Sequence, residues 1–200
     1  MSVAWSSMVS STGMTILEVR YSSFSRNMQY NWWSPDRWLR NIFDADKVLQ
    51  TFFDSCFNAG PSECAFYAPS PKAILQNLNK LYDIAKTRPF PVFLNSSSYG
   101  VVDYNFLRGS IFASLYFPYL FFPSLAIVLD ELSKGNAEPF WEYGSVTQAF
   151  NGFSDAEITI SCNDGALIPG TLKDAEQYFA KLAKTSEWAD VWANSRVICS

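Results

Sequence analysis

Nineteen consecutive residues at 111–129, IFASLYFPYLFFPSLAIVL, carry no charge. Apolar text of that length has to be hidden, either inside protein or in a bilayer, whose hydrocarbon core takes about 20 residues of helix to cross. Pro118 and Pro123 interrupt the run, Ser114 and Ser124 dilute it, and Arg108 and Asp130 bound it closely. A proline removes a helix donor and presses on the carbonyl one turn back. A bilayer offers nothing to satisfy the freed group. The run therefore predicts a pair of helices buried under other protein, with no membrane span.

The wider composition agrees with a chain that buries large faces. Of 200 residues, 48% are hydrophobic and 17% charged, with 17 Phe, 10 Tyr and 7 Trp. This is the scale of one domain or of a piece of a larger one. Histidine is absent. That count excludes a Ser-His-Asp or Cys-His relay, His-ligated zinc and imidazole acid–base chemistry within these residues. The net charge of −4 argues against a nucleic-acid partner. No glycine-rich phosphate loop or metal cluster is legible, and no cofactor is expected.

Local signals predict a mostly helical order after an atypical start. Residues 1–42 show no clear period and no basic opening or apolar core of an export leader. Asp44 can cap a helix to about residue 59, with Val48, Leu49, Phe52, Phe53 and Cys56 on one stripe, ended by Gly60 and Pro61. Ser70-Pro71 opens a second, whose stripe is Ile74, Leu75, Leu78, Leu81, Tyr82 and Ala85. Asp103 starts a third, reaching about Tyr116. A fourth is expected from Pro123 to Lys134, ended by Gly135. Glu157 to Ser161 alternates as a short strand, and Asn163-Asp164-Gly165 turns the chain. Thr171 to Asp174 approximates a capping box for a helix to about Ala183. Trp188, Val191 and Trp192 then follow at helical spacing.

Candidate chemistry is sparse. Gly152-Phe153-Ser154-Asp155-Ala156 superficially resembles a nucleophile elbow, but the strand follows it instead of preceding it and no histidine can activate Ser154. Asp44 and Asp46 point different ways at a helix start and read as capping and dipole charges. Asp130 and Glu131 near Lys134 read as a solvated helix end. Trp32, Trp33 and Trp38 are a buried or interface cluster before they are a stacking surface. No catalytic residue is assigned.

Cys56, Cys64, Cys162 and Cys199 show no two-residue gap of a zinc knuckle or redox motif. An even count suits two disulfides in a secreted protein, and three connectivities exist. Cys56–Cys64 is favoured by the Gly60-Pro61 turn between them. Four buried thiols in a cytosolic protein is the competing reading. Asn95-Ser96-Ser97 is a glycosylation sequon in a polar loop, meaningful in a secreted chain.

Four blocks in order carry a resemblance: FDADKVLQTFFDSCFNAGPSECAFY from 43, SYGVVDYNFLRGSIFASLYFPYLFFPSLAIVL from 98, ITISCNDG from 158 and EWADVWANSRVICS from 187. Over about 43–200 the chain resembles the tripeptidyl aminopeptidase-like α/β-hydrolases, secreted serine peptidases related to prolyl aminopeptidases. The resemblance implies a mainly helical cap over 43–156 and a partial return to the hydrolase core over 157–200. The family's nucleophile serine lies before this region and its acid and histidine after it. Both cysteine pairs, Cys56 with Cys64 and Cys162 with Cys199, match cysteines bridged in the family. The resemblance further implies short peptides or small amides and esters as substrates of an intact parent, and association with the missing core. For 1–42, reading the opening one frame over with permitted codons, within the limits set by Trp5, Met8 and Met14, allows the family's strand text. That segment is expected to be frame-shifted or disordered.

The expected protein is thus mainly α, a helical cap of an α/β-hydrolase with one or two short strands from an incomplete core, inactive alone. The alternative is a non-catalytic interaction protein using an aromatic helical surface. Localisation stays open, since the family is secreted and no leader is legible.

Overall fold

The structure, a computed structural model, describes residues 39, 41–148 and 170–194. Among the described residues the chain is mainly helical, with seven helices and one antiparallel hairpin. The order is α1 (Ala45–Ala59), α2 (Pro71–Thr87), β1 (Phe90–Asn95), β2 (Ser98–Val102), α3 (Tyr104–Ser114), α4 (Pro118–Ser133), α5 (Glu138–Gln148), α6 (Leu172–Leu182) and α7 (Ala189–Trp192). The expected strand at Glu157 to Ser161, the turn at Asn163, Ser154, Trp32, Trp33, Trp38, Cys162 and Cys199 lie outside the described residues.

Helix starts follow their local chemistry with one difference. The Ser70 side chain accepts from the Ala73 N–H at 3.1 Å, and Asp103 accepts from the Phe106 N–H at 2.8 Å. Thr171 accepts from the Asp174 N–H at 3.2 Å and its hydroxyl donates to the Asp174 carboxylate. Each bond satisfies a donor that the first turn leaves orphaned. Asp44 precedes α1 but makes no such bond. Its carboxylate instead accepts from Lys47 Nζ at 2.6 Å. At the end of α4, Gly135 (φ 91°) lets its own N–H reach the Leu132 carbonyl and the Asn136 N–H reach that of Glu131. This double bond closes the helix as a left-handed glycine cap does.

Two sequence expectations are corrected. α4 begins at Pro118, not after Pro123, and holds Pro123 inside it. Pro118 suits the first helical position, where no N–H is needed. Pro123 forgoes one bond near that end, beside the fully exposed Tyr119, where water can take up the carbonyl. The second correction is the stretch around Asn95, which is the tip of a β-hairpin. Phe90 pairs with Val102, Val92 with Gly100 and Asn95 with Ser98.

α3 is the hub of the packing, contacting α2, α4, α5, α7 and β2. Its Leu107 and Ile111 are fully buried, together with Ile74 and Leu78 of α2, Leu125 and Leu129 of α4, and Phe140 of α5. Close approach explains two glycines. A Cβ on Gly100 would collide with the Trp141 ring, and one on Gly144 with Phe106 and Ser110. The hairpin therefore lies directly on Trp141, and α5 directly on α3. α4 has 16 residues, about 24 Å at 1.5 Å per residue, short of a bilayer core. No described helix is long and apolar enough to cross a membrane.

Candidate functional site

The uncharged run at 111–129 resolves into a corner rather than a wholly buried pair. α3 ends in tightening turns, the Leu115, Tyr116 and Phe117 amides bonding back to Phe112, Ala113 and Ser114. Pro118 then starts α4 at once. The inner residues Ile111, Leu125 and Leu129 go to the core, but Tyr116, Phe117, Tyr119 and Leu120 stand out from it. Phe117 keeps 63% and Leu120 68% of their surface exposed. Scattered surface hydrophobics need no explanation, whereas four large ones within five positions form a patch of the kind that marks an interaction site.

Both flanks of this ridge are grooved. On one side Leu120, Phe121, Ser124 and Val128 of α4 face Pro139, Tyr143 and Val146 of α5 across about 500 Å³. On the other, Pro118, Tyr119, Phe122 and Pro123 face Val48, Thr51 and Ser55 of α1 across about 520 Å³. The first groove has Glu142 at its lining and the second the Asp44–Lys47 ion pair. The Tyr143 hydroxyl is engaged with Ser114 at 2.5 Å. Burial pushes that phenol up to about 12 despite the Ser114 bond, so it stays protonated at neutral pH. Both grooves are open and mostly apolar, fit to receive apolar side chains.

The most concentrated polar chemistry lies elsewhere, where the chain's last described segment meets α2 and α3. Buried Arg108 donates from Nε and Nη2 to the two oxygens of Asp190 at 3.2 and 3.1 Å, and from Nη2 to the Glu187 carbonyl at 2.5 Å. Its guanidinium lies 3.9 Å from the Trp188 ring centre. The Tyr104 hydroxyl donates to Asp190 at 2.6 Å. Burial and then the Asp190 bond push that phenol up to about 12. Burial raises the Asp190 carboxyl too, but the Arg108 and Tyr104 bonds outweigh it and hold it below the ordinary range. Asp46 adds a second tie, accepting from the Ser186 hydroxyl at 2.7 Å and from the Glu187 N–H at 3.3 Å. The Arg108–Asp190 and Asp46–Ser186 bonds tie this segment to α3 and α1, while the buried Trp188 Nε1 has no hydrogen-bond partner among the described residues.

The other sequence candidates fall as follows. Asp44 and Asp46 diverge, one to Lys47 and one to Ser186, and share no pocket. Asp130 and Glu131 both pair with Lys134 at the exposed end of α4. Cys56 and Cys64 are joined in a disulfide with 5.3 Å between Cα atoms, and no described cysteine is free. Among the described residues no group of His, Cys, Asp or Glu could hold a metal ion. Sequence reasoning missed the Arg108–Asp190 pair. Its one signal was an arginine at a position of α3 whose neighbours at 107 and 111 are apolar.

Compared with known proteins, the chain matches no family model, no curated protein and no solved structure.

Proposed function

We propose that this chain is a non-catalytic helical cap of the tripeptidyl aminopeptidase-like hydrolase type, whose working surface is the aromatic ridge at the α3–α4 corner. The observation that carries this reading is the ridge itself, Tyr116, Phe117, Tyr119 and Leu120 exposed between two apolar grooves. In a hydrolase of this type the core, or the apolar side chains of a short peptide, would cover such a face. The 200 residues hold no histidine, so a serine within them has no imidazole base. In an intact parent, acyl transfer through a serine, an oxyanion hole and a histidine would be supplied from outside this sequence.

The purified chain is expected to leave aminoacyl and tripeptidyl chromogenic amides and esters unhydrolysed. Turnover above a heat-denatured control would overturn the non-catalytic part. A separately expressed hydrolase core of this family should bind the chain, and binding should weaken when Phe117 and Leu120 are both changed to Ser. A core that binds wild type and variant equally removes the ridge from the proposal.

A second reading, a free-standing interaction module, draws support from the core. Among the described residues, Ile74, Leu78, Leu107, Ile111, Leu125 and Leu129 belong to one buried core gathered around α3. A monomeric, cooperative melt of the chain alone favours it.

A further inference from the structure

The hairpin has two faces of opposite character. Val92 and Val102 are buried against the helices, while Pro91, Phe93, Tyr99 and Val101 alternate onto the outer side. The register sets Phe93 directly opposite Tyr99, and a bulge between Phe93 and Asn95 breaks the period at the tip, where Asn95 pairs with Ser98. Phe93 keeps 70% and Tyr99 64% of their surface exposed, an apolar pair left open on a two-stranded sheet.

At the rim of that face is the one Asn-x-Ser/Thr sequence in the 200 residues, Asn95-Ser96-Ser97. All three residues are exposed at the hairpin turn. The Asn95 carboxamide oxygen accepts from the Ser97 N–H at 2.9 Å, which bends the sequon into an Asx turn. The bond uses the oxygen and leaves the nitrogen, the atom that would carry a sugar. A second and independent observation is the Cys56–Cys64 disulfide. Such bridges form and persist in oxidising compartments, and in eukaryotic cells the compartment that forms them is also where oligosaccharide is transferred to asparagine.

We infer that Asn95 is an N-glycosylation site and that its first sugars cover the Phe93–Tyr99 face. In the transfer, Asn95 Nδ2 attacks the anomeric carbon of a polyisoprenyl-pyrophosphate-linked oligosaccharide. The N–C bond forms, the bond from that carbon to the pyrophosphate oxygen breaks, and the lipid pyrophosphate leaves. One amide proton goes to the transferase base, and nothing is oxidised or reduced. The polarised C–H face of a pyranose then packs against the negative face of an aromatic ring, hiding surface that the hairpin exposes. The inference rests on sequon, turn and disulfide, and does not depend on the hydrolase reading.

The test is the full chain carried by an appended cleavable leader through a eukaryotic secretory pathway. Intact mass is read on both the secreted and the cell-retained lumenal pools. One N-glycan is expected, lost on treatment with peptide N-glycosidase with Asn95 then read as Asp. It should be absent from Asn95→Gln and Ser97→Ala. A disulfide-bonded lumenal pool at bare polypeptide mass overturns the site. For the packing, the glycosylated form should melt above its deglycosylated form, and Phe93→Ser should abolish that gap. An unchanged gap in the variant, or none in the wild type, overturns the coverage of this face.

Discussion

Arg108 is buried among aromatic rings, and its charge is answered by a carboxylate 82 residues away in sequence. Removing one partner of a buried pair leaves the other desolvated and unpaired, at a cost of roughly 3–5 kcal/mol. Asp190 keeps some solvent access, so Asp190→Asn should destabilise by about 3 kcal/mol, the low end of that range. The pH dependence follows from the direction of each shift. The Asp190 carboxyl lies below its ordinary value, so its stabilisation is full above the unfolded aspartate range and is lost as pH falls through the depressed folded value. Glu187 goes the other way, raised chiefly by burial in spite of Arg108. Its ionisation in the folded chain costs stability at neutral pH, and the cost disappears as pH falls through its raised value. Urea midpoints from neutral to acid pH check both. Asp190→Asn should flatten the acid decline, and Glu187→Gln should stabilise at neutral pH with the gain vanishing in acid. A Glu187→Gln variant destabilised at neutral pH contradicts the assignment.

At the scale of elements, the helices were largely legible because a helix is specified by neighbours. Ser70-Pro71 with its apolar stripe led to α2 as observed, and Asp103 led to α3. Caps with a side-chain bond contribute about 1 kcal/mol each. Ser70→Ala and Asp103→Ala should therefore each lower stability by about that much in denaturant titration. Asp44→Ala should cost clearly less, because Asp44 spends its carboxylate on an exposed ion pair with Lys47. Equal losses at all three positions would show that the bonding pattern does not set the cap energies. The hairpin was not legible. Its turn is Ser96-Ser97 with none of the Asn-Gly or Asp-Gly signal, and Pro91 in β1 argues against a strand by local rules. Pairing with Gly100, which must itself be small to let Trp141 in, makes the strand. Pro123 misled for the complementary reason, since a proline one turn inside α4 is tolerable where the corner faces water.

For the whole molecule, the uncharged run at 111–129 is divided between a hub and a ridge. Phe117, Tyr119 and Leu120 keep most of their surface exposed, so replacing them together by Ser should leave the melting temperature nearly unchanged while reducing concentration-dependent association. Light scattering and a thermal melt on the same samples read the two effects separately. A large drop in melting temperature would place these side chains in the stabilising core instead. What the amino-acid order alone determined is the mainly helical class, the start and stop of most helices, and the absence of an imidazole base among these 200 residues. Each depends on residue counts or on contacts within one or two helical turns. Tertiary structure decided that Asp46 reaches Ser186, that Arg108 meets Asp190, that Asn95 crowns a hairpin, and that part of the apolar run stays outside. Those outcomes depend on which surfaces come together across long stretches of chain. Local periodicity carries no record of that pairing, because burial and partner are properties of the packed whole.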